Sequence, residues 1–206
     1  MKYIGTPALL AAIIGPFQSV LGWLISQSLW PEYDPIKKTI SDLAANDSPT
    51  QGLMTAFFIF GGTLTIIGAI YSYSFAMPGR VVLVLAGIAT FALAYWTTPS
   101  QIGFSVEHRI SASIAFLLYS LWPIFSMRRS QDSPWILRPK YAIATTIFLL
   151  FVSVWFLSTW TDPEANITGL AERVVVTLQT LSLSVFVILA WFSGKKSQSP
   201  SKALKG

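Results

Sequence analysis

The chain contains no cysteine. Disulfides, thiolate metal sites and a cysteine nucleophile are therefore excluded together. Histidine occurs once, at His108, which rules out a histidine-rich zinc site. Charge is scarce: 11% of the 206 residues are Asp, Glu, Lys or Arg, against about 25% in a soluble domain. A chain so poor in charge is not built to face water on all sides. Charged residues and histidine are missing altogether from six runs, roughly Ala8–Trp30, Leu53–Phe75, Val81–Trp96, Ile110–Phe125, Tyr141–Trp160 and Val174–Phe192.

Crossing about 30 Å of hydrocarbon takes about 20 apolar residues, and these runs are long enough or gain length from uncharged neighbours. Lipid offers no partner to a free N–H or C=O, so a spanning segment must be helical or part of a closed barrel. The runs lack the period-two alternation of a barrel. They predict an all-α, polytopic membrane protein: one six-helix transmembrane domain over residues 1–194, followed by a basic, disordered tail over 195–206. The first run has Lys2 as its only basic flank and no small-residue cleavage site after it, so it is read as a retained span and not a signal peptide. No span carries lysine, which excludes a retinal Schiff base.

An even number of spans puts both termini on one side. That side collects Lys2, Arg80, Arg128, Arg129, Arg138, Lys140, Lys195, Lys196, Lys202 and Lys205, and the other side holds Lys37, Lys38, Arg109 and Arg173. By the positive-inside rule the termini are cytoplasmic. This distribution accounts for the net charge of +5 without a nucleic-acid partner; the partners expected are membrane lipids. The acids run the other way: of nine, only Asp132 falls inside. The outer face is thus the chemically busier one.

Between the first two spans lies YDPIKKTISDLAAND, residues 33–47. Asp34 can cap a helix and Pro35 suits its first position. Ile36, Ile40, Leu43 and Ala44 then fall on one face, with Lys38, Ser41 and Asp42 opposite. The spacing predicts a short amphipathic interfacial helix. Its polar face points either to water or inward over a cavity. Two further polar clusters open spans on the same side: Glu107-His108-Arg109 at the fourth and Glu172-Arg173 at the sixth.

Several chemistries are open to these residues. Helix starts favour acids, so plain ion pairs such as Glu172–Arg109 are one reading. As a first chemistry, Asp42, His108 and Glu172 offer three ligands to a divalent metal such as zinc, with a water position left over. Ser41 as nucleophile, with His108 as base and Asp42 or Glu172 orienting it, is a second. General acid–base work by Asp42 and Glu172 on a lipid or isoprenoid is a third. Lys38, Arg109 and Arg173 gripping a phosphate headgroup, with no catalysis, is a fourth.

The stretches YDPIKKTISDLAA, EHRISASIAFLLY and GLAERVVVTLQTL, in that order, resemble the bacterial and archaeal integral-membrane family catalogued as domain of unknown function 998. The most specific elements are Ile40-Ser41-Asp42-Leu43, the position of His108, and the G-L-x-E-R of Gly169–Arg173. The resemblance implies a multi-spanning bundle of unestablished function. The expectation is a membrane protein with a polar pocket at the outer leaflet, binding or processing a lipid or isoprenoid as a hydrolase or transferase. The alternative is a non-catalytic membrane module such as a lipid sensor, complex subunit or transporter. Candidate catalytic residues are Ser41, Asp42, His108 and Glu172; candidate ligand-binding residues are Lys38, Arg109 and Arg173.

Overall fold

A computed structural model describes residues 3–100, 102–103 and 105–198, without the side chains of 195–198. The described residues form six long helices and no strand: α1 (Thr6–Ser28), α2 (Gln51–Tyr71), α3 (Met77–Tyr95), α4 (Val106–Ser126), α5 (Pro139–Thr161) and α6 (Thr168–Gln198). Each overlaps one of the six apolar runs, and each is long and apolar enough to cross a membrane. Such a set of helices marks a multi-pass membrane protein. Helix α6 runs four residues into the stretch expected as tail; residues 199–206 of that tail lie outside the described residues.

Every helix packs on its neighbours in sequence, and α6 closes the ring against α1. The ring has its main aromatic core at the end where α1 begins. There Trp122 stacks on Phe75 at 5.5 Å and meets Phe186 edge-on at 5.0 Å. Small residues allow close approach, as expected where lipid supplies no hydrophobic drive between helices. A Cβ on Gly62 of α2 would sit 2.9 Å from the Gly87 carbonyl of α3, and one on Gly87 would sit 2.8 Å from the Gly62 carbonyl.

Two prolines interrupt helices, and neighbouring helices repair the ladder. Pro16 cannot donate to the Ala12 carbonyl; the Ser184 hydroxyl of α6 donates to it instead. Beside Pro123, the Ile124 N–H turns to Thr146 Oγ1 of α5 at 3.1 Å. Basic residues close the N-terminal end. Arg80 donates to the Ala69 and Ile70 carbonyls in the last turn of α2, and Arg128 donates to the Ser74 and Phe75 carbonyls of the next turn. Basic side chains thus cap the end of α2 and the turn that follows it.

Candidate functional site

At the opposite end the first loop is not the amphipathic helix its spacing predicts. Asp34 does cap, accepting from the Ile36 N–H at 2.9 Å, and the Lys38 N–H closes one turn on the Asp34 carbonyl at 2.8 Å. The helix then stops. The carbonyls it would need are taken by the start of α6: the Leu170 N–H donates to the Ile36 carbonyl at 2.9 Å and the Gly169 N–H to Lys37 at 3.2 Å. A helix begins with donors that have no partner within it, and here the loop supplies acceptors for them. Past Thr39 the chain makes a single 3₁₀ turn, Ser41–Ala44. Thr39 and Asp42 bracket it reciprocally, the Thr39 N–H donating to Asp42 Oδ2 at 2.7 Å and the Asp42 N–H to Thr39 Oγ1 at 3.1 Å. Of the expected apolar face, Ile40, Leu43 and Ala44 are buried, whereas Ile36 is 50% exposed.

Glu172 and Arg173 clamp this loop from α6. Both are buried, 5% and 7% exposed. The Ile40 N–H donates to Glu172 Oε2, and the Ser41 hydroxyl donates to Oε1 at 3.4 Å. Arg173 donates to the Lys38 carbonyl at 3.1 Å, to the Gly169 carbonyl at 2.9 Å and to the Tyr33 hydroxyl at 2.8 Å. Its guanidinium lies over Trp23, 5.2 Å from the ring centroid. The Tyr33 hydroxyl in turn donates to the Thr39 carbonyl at 2.6 Å. Burial pushes the Tyr33 phenol well above its ordinary value, with Arg173 offsetting part of the effect. Burial likewise raises the Asp42 carboxyl, against the opposing pull of the Thr39 N–H.

The other predicted residues are placed apart from this clamp. His108 is 1% exposed. Its Nδ1 meets the Trp96 carbonyl at 2.8 Å, so it ties the start of α4 to the end of α3. Ser41 pairs with Glu172 and Asp42 with Thr39, so a serine–histidine–carboxylate relay is not assembled. Nor is the three-ligand metal site: among the described residues, no group of three His, Asp or Glu side chains is placed to hold a metal. Lys38 lies over Trp30 at 5.1 Å and Arg109 over Trp160 at 5.5 Å. With Arg173 turned onto loop carbonyls, the three cations do not converge on one phosphate.

What Ser41 and Glu172 do share is a cavity inside the ring. It is lined by α1, α2, α3, α4, α6 and the first loop, and not by α5. Counted as space for the centres of water-sized spheres it holds about 130 Å³, roughly ten times what one water needs. Ile40, Ser41 and Glu172 lie at its loop end; from there it runs past Met54 and Phe57 to Ala8 and Val187 near the N-terminal end. Most of the wall is apolar. Polar residues farther along it include Gln18, Gln179, and Tyr119 with Thr65 and Thr90. Gln179 donates to the Phe116 carbonyl at 3.0 Å and to the Ser120 and Ser153 hydroxyls. Tyr119 exchanges hydrogen bonds with Thr65 at 3.0 Å and Thr90 at 3.2 Å. None of these stood out in the sequence, because they are uncharged. The signal that could have found them is an amide inside an otherwise apolar run.

The ring of spans with a loop-capped cavity defines a six-helix membrane-type bundle. The family model described as "Protein of unknown function (DUF998)" matches residues 13–189. The chain belongs to this family, as its three polar clusters suggested. No curated protein and no solved structure matches it. Two of the clusters that carried the resemblance, Ile40–Leu43 and Gly169–Arg173, are the two halves of the clamp. A Cβ on Gly169 would lie 2.0 Å from the Lys38 carbonyl oxygen, so that glycine is what lets them close.

Proposed function

We propose that this protein is a lipid-binding module of a prokaryotic cytoplasmic membrane, with both termini cytoplasmic. It holds one acyl or isoprenoid chain in the central cavity, the head at the outer end beside Ser41 and Glu172. The observation that carries this reading is the cavity itself. An apolar, elongated hollow with a carboxyl group at one end is the shape and polarity of a single-chain amphiphile. Glu172 already accepts from two protein donors, and an ionised carboxylate offers only further acceptor positions. It favours a head that donates, a hydroxyl or an amine, over phosphate or carboxylate. A hydrolase or transferase is the weaker reading, because the only histidine is outside the cavity wall.

Gly15 and Gly68 line the cavity, and a Cβ at either meets nothing within 4 Å. The Gly15→Leu/Gly68→Leu double variant fills the hollow and gains about 1 kcal/mol of helix propensity per site. Mass spectrometry of the intact detergent-purified protein should find a bound amphiphile on the wild type, or uptake of stearyl alcohol and not stearic acid. The double variant should melt no lower and carry neither. Equal retention by a folded double variant, or a wild type that carries nothing and takes up neither probe, overturns the proposal.

A further inference from the structure

Two side chains along the cavity carry a buried polar atom with no hydrogen-bond partner, Trp23 Nε1 and Gln18 Oε1; the Trp23 ring already lies under the Arg173 guanidinium. Gln18 stands in the middle of α1, 9% exposed, and its side chain lines the cavity. Its Oε1 is buried without a hydrogen-bond partner. Other polar groups along the cavity have partners: Gln179 Nε2 has acceptors on α4 and α5, Tyr119 has two threonines, and Ser184 has the Ala12 carbonyl. Gly61 of α2 has no side chain where the Gln18 amide lies; a Cβ there would be 2.8 Å from Nε2. The amide is thus held against a bare helix face at the cavity wall.

An unpaired amide among apolar spans is costly, because neither lipid nor a neighbouring helix completes it. A leucine would fit the same run of sequence without that cost. We infer that Gln18 is a specificity-determining residue, and that the cavity's ligand carries a second hydrogen-bonding group partway along its chain, a hydroxyl or carbonyl, which pairs with the Gln18 amide. This rests on the lipid-binding reading and narrows it. An amide both donates and accepts, so it complements either group, whichever way the amide is turned.

The depth of that second group follows from helix geometry. Gln27 reaches Arg173, which puts the last turn of α1 level with the Glu172–Arg173 clamp. Gln18 is nine residues earlier on the same helix, about 14 Å deeper at 1.5 Å per residue. The ligand is therefore an amphiphile with its head at Glu172 and a polar group near mid-chain, not a plain saturated chain.

Two matched probes test this on the full-length protein in detergent: stearyl alcohol and its analogue with a second hydroxyl near mid-chain. The wild type should bind the hydroxylated probe about tenfold more tightly, the weight of one net hydrogen bond. Gln18→Leu, which replaces an amide by a side chain of similar size in an apolar wall, should fold with an unchanged or higher melting temperature and bind both probes equally. Wild-type binding of both probes with equal affinity overturns the inference and leaves the lipid-binding reading standing. Binding of neither overturns both. Discrimination that survives in Gln18→Leu assigns the preference to another residue and overturns the role given to Gln18.

Discussion

Asp42 and Glu172 are both acids at the same end of the bundle, and their surroundings separate them. Glu172 lies at the cavity and accepts from the loop, while Asp42 folds back to close a 3₁₀ turn with Thr39. Burial raises the Asp42 carboxyl above its value in the unfolded chain, so the folded chain holds that proton more tightly. The stability this group contributes is present below the unfolded value and is lost as pH rises through the raised folded value. Asp42→Asn keeps an oxygen for the Thr39 N–H and has no proton to lose. Melting temperatures measured from acid to neutral pH should show the wild type gaining on Asp42→Asn as pH falls. Parallel profiles would mean that Asp42 titrates as it does in the unfolded chain. Asp42→Ala should be less stable than Asp42→Asn throughout by about 1 kcal/mol, the usual cost of a lost cap. Arg173 shows why charge identity alone says little: it spends its planar fork on carbonyls and a phenol, contacts that a lysine cannot reproduce.

The element that most changes between expectation and structure is the first loop. Its periodicity was that of a helix, with Asp34 and Pro35 well placed to start one. Local propensity lost to α6, whose unpaired N–H groups at Gly169 and Leu170 capture the Ile36 and Lys37 carbonyls. The loop and α6 are thus one unit, and Gly169 is its hinge of contact. Gly169→Ala would drive a Cβ into backbone oxygens of Lys38 and Pro35, so loop or helix must shift. The expected cost is about 3 kcal/mol, the upper end for overpacking. Thermal unfolding should reveal it, together with faster hydrogen exchange at Ile36–Ile40 and no change at the N-terminal end. An unaffected variant would show that the clamp is not needed to hold the loop.

On the scale of the whole molecule, the ring of helices leaves a hollow that a solid bundle would not. Helix α5 stays off the cavity where Phe156 packs at a tilt against Phe116, 4.8 Å between centroids, and fills that side. Orientation is open to direct measurement because the chain has no cysteine of its own. Single cysteines placed by Arg129→Cys, in the α4–α5 connection, and Asp162→Cys, after α5, lie at opposite ends of the bundle. In intact cells a membrane-impermeant maleimide should label the second and spare the first. The reverse pattern would invert the topology and put the Ser41–Glu172 end of the cavity on the cytoplasmic side.

The amino-acid sequence by itself determined that there are six spans, where they lie, and that Ser41, Asp42, His108, Glu172 and Arg173 gather at one end. Hydrophobicity is additive along a segment, so each span is decided by its own residues. Only the tertiary structure decided partners. Glu172 meets the Ile40 N–H across 132 positions, His108 goes to a Trp96 carbonyl instead of to Ser41, and Gln18 is left at a cavity wall with its Oε1 unpartnered. A hydrogen bond is a pairwise, directional event, set by how each helix is rotated and how closely it approaches its neighbours, and no local run of residues encodes that.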